Sequence, residues 1–243
     1  MPLHRSATLP RQRRTRSLLV RSESLHKLES ASPCSYSLAQ AALRFAKHHT
    51  PRGSANQGAG HVKQAKPWTP YFPPENRALV AQLRYRRKTE VSGANADDKY
   101  VELIKEAKVG NCTEQSFLVY YFLLHQHNPP ECHMVSLSPG DHVFVVLNES
   151  PNEEYLFPDH FNDWREDAVI IDAWVGICVA ARRYPDVWRM TLDTMAAMGI
   201  ELCLDTGNDE GSRDIYQWLE ANTPCCRQML DVNKKYRFGK EPK

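Results

Sequence analysis

The chain has 243 residues, 42% of them hydrophobic and 25% charged, with a net charge of +2, the balance of a soluble globular protein. That net charge leaves no global basic field to draw in nucleic acid, and no stretch approaches the roughly 20 consecutive apolar residues that a membrane helix requires. Seven cysteines, none of them in a C-x-x-C pair, read as reduced thiols rather than as a disulfide framework.

Charge is unevenly placed. Between Met1 and Val20 there are five arginines and no acid, and the first acidic residue is Glu23. Residues 1–70 are rich in Ser, Arg, Ala, His and Pro. Only Ser37–His48 has helical spacing, with Leu38, Ala41, Ala42 and Phe45 on one face. The segment is expected to be a disordered basic arm, with the folded domain spanning 71–235 and a flexible tail at 236–243.

From Pro74 the periodicity sharpens. Helices are expected over Glu75–Arg87, with Leu79, Val80 and Leu83 inward, and over Ala96–Ala107, apolar at Tyr100, Val101, Leu103 and Ile104. Gly110-Asn111 breaks the second, and a third helix runs from Cys112 to about Gln126. It is apolar almost throughout and should be the buried centre. Strand patterns follow at His133–Leu137, His142–Leu147 and Ala168–Val175. Beyond them come a helix near Asp186–Met198, a strand Ile200–Leu204 and a helix near Arg213–Ala221. A central helix packed on an antiparallel sheet with flanking helices is an α+β arrangement.

Three residues stand out against this background. Cys112 opens the most buried helix, where first-turn N–H groups lie outside the helix ladder and the dipole favours negative charge. A thiolate is the nucleophilic form of cysteine, and the same N–H groups suit an oxyanion. Taken alone, Cys112 reads more simply as a small buried hydrophobe. His142 opens the strand His142–Leu147 after the turn Ser138-Pro139-Gly140-Asp141, where a fixed backbone and partly dry setting suit a general base; the plain alternative is a histidine capping a turn. Alternation puts His142, Phe144 and Val146 on one face. Asp172 lies inside the apolar run Val169–Val175, and a carboxylate there needs a partner. An imidazolium would serve, as would the backbone or Arg182. Trp174 shares the Asp172 face and could wall a site.

Together the three follow the order and placement of papain-like and transglutaminase-like cysteine enzymes: helix start, strand, next strand. More narrowly, Gly110-Asn111-Cys112-Thr113-Glu114, Gly140-Asp141-His142-Val143-Phe144-Val145-Val146 and Ile171-Asp172-Ala173-Trp174 resemble the bacterial toxin and type III effector glutamine deamidases. The resemblance covers about residues 110–176, and Ala173 stands where that family usually has proline. It implies a papain-like core and a catalytic triad of Cys112, His142 and Asp172, with Asn111 and Trp174 at the substrate. It also implies hydrolysis of a side-chain amide of a host protein through a thioester. A cysteine protease or a transglutaminase would use the same triad. A module in which Cys112 and His142 only pack belongs to a different class.

The resemblance further implies that the arm is a secretion signal and that the protein acts in the host cytoplasm after leaving the bacterium. Read alone, the arm also fits a mitochondrial presequence or a polyanion-binding tail, and the domain a cytoplasmic protein. The insert between His142 and Asp172 carries seven acids (Glu149, Glu153, Glu154, Asp159, Asp163, Glu166, Asp167), which would suit a partner with a basic surface. Nothing in the sequence requires a metal or an organic cofactor. His125, His127, Cys132 and His133 are spaced poorly for zinc, and Cys225-Cys226 is too tight for an ordinary disulfide.

Overall fold

A computed structural model describes residues 33–59, 75–138, 142–153, 156–158, 160–197, 200–203, 212–213 and 228–231. The architecture is α+β. The main layer is a five-stranded antiparallel sheet in the order β5-β4-β3-β2-β8, formed by β2 (Cys132–Ser138), β3 (Val143–Leu147), β4 (Val169–Asp172), β5 (Ile177–Ala180) and β8 (Gln228–Asp231). A small second sheet joins β1 (Gln57–Ala59), β6 (Ile200–Cys203) and β7 (Ser212–Arg213). Of the helices α1 (Pro33–His49), α2 (Glu75–Glu90), α3 (Ala96–Ala107), α4 (Cys112–Gln126) and α5 (Tyr184–Ala197), α1, α4 and α5 pack on strands, and α3 joins α2 to α4. Among the described residues, no helix is long and apolar enough to cross a membrane.

The central helix is where its composition puts it. Helix α4 buries Gln115, Ser116, Phe117, Leu118, Val119 and Leu123 and packs against α1, α3, β2, β3 and β4. Strand β3 is buried along its whole length, as an apolar run covered on both sides must be. The register pairs Val145 with Ile171 and Val146 with Ile170, and on the other edge Met134 with Val145. Helix α3 turns Tyr100, Val101, Leu103 and Ile104 inward, as its spacing predicts.

Strand β4 is shorter than expected and ends at Asp172. Residues 173–176 form a turn closed by a Gly176 N–H to Asp172 carbonyl bond of 2.9 Å. Gly176 has φ +80°, a conformation glycine takes without a Cβ penalty. The chain then reverses into β5, which the sequence pattern does not separate from β4. The helix expected near Arg213–Ala221 begins instead as strand at Ser212–Arg213, paired with Leu202 and Cys203; residues 214–221 lie outside the described residues, as do the tail 236–243 and residues 1–32.

The expectation of a disordered arm over residues 1–70 needs correction at residues 33–59, the part of it that the structure describes. Helix α1 is part of the core: Ala39, Ala42 and Ala46 are fully buried, with Leu43 beside them. Its inward face is therefore 39/42/43/46, a step round from the Leu38/Phe45 stripe. Small side chains let α1 approach α4, β4 and β5 closely, a contribution that a hydropathy count undervalues. Polar ties add to it, from the Tyr36 hydroxyl to the Cys178 carbonyl (3.1 Å) and from the Asn148 amide to the Ser35 hydroxyl (3.2 Å). The loop that follows is also buried at Thr50, Ser54, Asn56 and Gln57. A chain that begins at residue 60 is accordingly expected to lose its cooperative thermal transition. A far-UV melt that keeps one sharp transition after this truncation would show that α1 is dispensable.

Part of the acidic insert is used by the fold. Glu149 is buried and accepts the Arg165 N–H at 2.6 Å. Arg165 also pairs with Asp167 and Glu131, and Arg182 with Glu166. Within the insert, Phe157 and Phe161 each stack on Trp164. Part of the negative charge expected to face a basic partner is thus neutralised within the domain.

Candidate active site

Helix α4 starts where its local chemistry dictates. Gly110 turns the chain with no room for a side chain, since a Cβ there would lie 2.6 Å from the Glu114 Cβ. Asn111 caps the helix, and the Glu114 carboxylate reaches back to the Asn111 N–H at 2.9 Å, the reciprocal half of a capping box. Glu114 is itself almost wholly buried and receives the Arg84 guanidinium through two bonds of 2.9 and 3.3 Å. A buried carboxylate held in this way satisfies its lone pairs and anchors the first turn to α2. Replacing Gly110 with alanine should cost roughly 1–3 kcal/mol through this overlap, read as a lower urea midpoint. An unchanged midpoint would mean that the turn relaxes freely.

Cys112 is the first residue of α4 and is 6% exposed. The helix ladder begins one turn on, with Gln115 N–H to the Asn111 carbonyl at 3.0 Å, so the Cys112 N–H sits in the turn that the ladder does not use. His142 stands at the entrance to β3 and is fully buried. Its Nε2 is 2.7 Å from Asp172 Oδ2. Cys112 is a further neighbour of the imidazole, and its proximity also raises the ring's pKa. Burial pushes the ring toward its neutral form, but Asp172 and then Cys112 outweigh it, and the pKa rises to about 10. The surroundings of the ring therefore favour its protonated form, the form it reaches on taking a proton. The structure brings Cys112, His142 and Asp172 together, from a helix start, a strand entrance and a strand end.

Asp172 has more donors than a partnering imidazole alone would require. Its Oδ1 accepts the N–H groups of Trp174 (3.1 Å) and Val175 (3.3 Å), and its Oδ2 also accepts the Tyr184 hydroxyl at 2.7 Å. Arg182, the alternative partner from sequence, instead donates to the Trp164 carbonyl at 3.0 Å. Tyr184 carries no local sequence signal for this role: it lies twelve residues beyond Asp172 at the start of a helix whose apolar stripe reads as ordinary core.

Asn111 and Trp174, expected at the substrate, are engaged by the fold. Asn111 is 3% exposed and its Oδ1 accepts the Ala55 N–H at 2.9 Å and the Ser54 hydroxyl at 3.0 Å. Trp174 is 2% exposed, and its indole N–H is 2.9 Å from both Ser54 Oγ and Asn56 Oδ1. Its ring centroid lies 5.3 Å from that of His142, and Trp188 packs on the same imidazole at 5.7 Å. Asn111 is thus a cap, and Trp174 supports the imidazole from within. The buried loop 54–57, which composition alone assigns to the arm, braces both.

Lys47 approaches the rear of this assembly. Its ammonium is 3.3 Å from Gln115 Oε1 and 3.4 Å from the Trp174 carbonyl, which also accepts the Gln57 amide at 3.2 Å. Lys47 is solvent-exposed as a residue, but the dense surroundings of its ammonium lower its pKa, with Asp172 acting in the opposite sense. Among the described residues no group of three or more metal-ligating side chains converges. His125 stacks on Tyr121, while His127 and His133 pack against Phe122 and Phe157.

No family model matches the chain, and no curated protein matches it either.

Proposed function

We propose that the protein is a thiol-dependent amidohydrolase that converts a side-chain carboxamide of a host protein, by preference glutamine, into a carboxylate. The observation that carries this reading is the single buried imidazole held by Asp172 Oδ2 and neighboured by the Cys112 side chain at a helix start. His142 takes the Cys112 thiol proton as Sγ attacks the amide carbon, and the first-turn N–H of α4 holds the developing oxyanion. The C–N bond then breaks and His142 gives its proton to the departing ammonia. Water adds to the thioester, its proton passes to His142, the C–S bond breaks, and the thiolate returns as the acid leaves. The choice of a side-chain amide over a peptide bond, the papain-like core and delivery from a bacterium into a host rest on the resemblance of the three motifs. A nearly covered sulfur also suits a slot for one side chain better than a groove for an extended chain.

A non-catalytic interaction module is the second reading, favoured by the same burial of Cys112 and His142. Iodoacetamide separates the two. Cys112, Cys132 and Cys178 are all buried thiols, and burial holds Cys178 up at about 12. On the enzymatic reading, Cys112 is alkylated at neutral pH well ahead of Cys132 and Cys178; comparable rates support the module. Incubation with host-cell proteins then resolves the reaction. Ammonia released with intact target chains supports deamidation, incorporation of an amine probe supports transglutamination, and new chain termini support proteolysis.

A further inference from the structure

We infer that Tyr184 is a positioning residue of the site, sharing the Asp172 Oδ2 with His142 and so setting how strongly the carboxylate holds the imidazole. The inference rests on the reading of Cys112, His142 and Asp172 as a catalytic group. Both Tyr184 and His142 approach this one oxygen at 2.7 Å, while Oδ1 is taken by the Trp174 and Val175 N–H groups. The negative charge available to the ring is what remains after the other three donors have drawn on it.

The tyrosine is held in place by its surroundings. Its ring packs against Phe144 at 5.1 Å, Phe161 at 5.5 Å and Trp188 at 6.3 Å. The short 3-10 turn Ala181–Arg183 that delivers it is fastened by the Ala181 N–H to Ala168 carbonyl bond of 2.9 Å. Burial and then the Asp172 charge push the phenol well above its ordinary pKa. It therefore remains a donor at any working pH. The ionisable groups around the carboxylate are His142 from the entrance of β3, Cys112 from α4, Lys47 from α1 and Tyr184 itself. A ring gripped too firmly by its carboxylate holds its proton when ammonia needs it. A neutral donor on the same oxygen loosens that grip without moving the carboxylate.

Tyr184→Phe keeps the ring and deletes only the hydroxyl. Three readouts are taken on one preparation: the ring ¹⁵N titration of His142 by NMR, the pH profile of Cys112 alkylation and the melting temperature. The proton affinity of His142 should rise about tenfold, the scale of a hydrogen bond to a charged group, and the pH profile of Cys112 alkylation should shift in parallel. In an Asp172→Asn background the same substitution should leave the His142 titration where it was. A purely structural tyrosine would lower the melting temperature and leave the titration unchanged. A shift that persists in the Asp172→Asn background would likewise overturn the inference, because it would not pass through the carboxylate. If alkylation of Cys112 proves indifferent to His142→Gln, the catalytic reading fails instead, while the titration of Tyr184→Phe still decides the role of the hydroxyl.

Discussion

Cys112→Ala is expected to abolish turnover, by about 10⁵-fold or more, the scale seen when a nucleophile acting as one unit with its base is deleted. Stability should change by only about 1 kcal/mol, because a small buried side chain is shortened by one atom and the cap of α4 does not use the sulfur. The helix start is held by Gly110, by the Asn111 bonds to loop 54–55 and by the Glu114–Arg84 pair, all intact in the variant. The measurement is ammonia release from a substrate protein together with a thermal melt. Full activity in a well-folded Cys112→Ala protein would remove the thiol from the mechanism.

The parts of the site that are local in sequence are legible in the residues themselves. Gly110-Asn111 ahead of an apolar helix marks a helix start, and the start falls at Cys112 as expected. His142 at the entrance of an apolar strand and Asp172 inside another mark polar groups in dry places, and the fold sets one against the other. What supports them comes from a distance and leaves no local trace. Arg84 reaches Glu114 from thirty residues away, and Ser54 reaches the Trp174 indole across one hundred and twenty. A serine or an asparagine in a loop reads the same whether it faces water or an indole N–H. Residues 33–59 are misread from composition for a related reason. The helical spacing at Ser37–His48 is legible, but hydropathy summed over a polar segment hides that this helix belongs to the core, because alanine contributes through close approach rather than through area.

The extent of the Asp172 strand illustrates the same limit in a single residue. An apolar run from Val169 to Val175 reads as continuous strand, yet the Asp172 carboxylate takes the N–H groups of residues 174 and 175 and ends the strand there. That side-chain competition with the backbone is typical of aspartate at turns. It also positions the carboxylate: Oδ1 is fixed by the turn, which leaves Oδ2 facing His142 and Tyr184.

Asp172→Asn should therefore preserve the shape and disable the chemistry. The asparagine carbonyl oxygen can still accept from the Trp174 and Val175 N–H groups, which leaves its NH₂ facing His142 Nε2. That nitrogen must then accept rather than donate, so the ring's proton is driven to Nδ1. A neutral ring in that tautomer cannot take a proton from the Cys112 thiol, and turnover should fall by about 10⁴-fold, the loss known for this change in a serine protease triad. Stability carries a second signature. The His142 pKa is raised in the folded protein from 6.5 to about 10, so the folded state holds a proton that the unfolded chain has released between those values. The sign follows from linkage: the stabilisation is complete below about pH 6.5, declines as pH rises, and is gone above about pH 10. Asp172 supplies the largest of the effects that raise this pKa, so the asparagine variant should show a much flatter loss of stability across that window. Urea midpoints at half-unit steps from pH 6 to pH 10, with activity measured on the same samples, test both halves. A variant that loses stability equally at every pH while keeping its activity per folded molecule would identify Asp172 as a structural carboxylate.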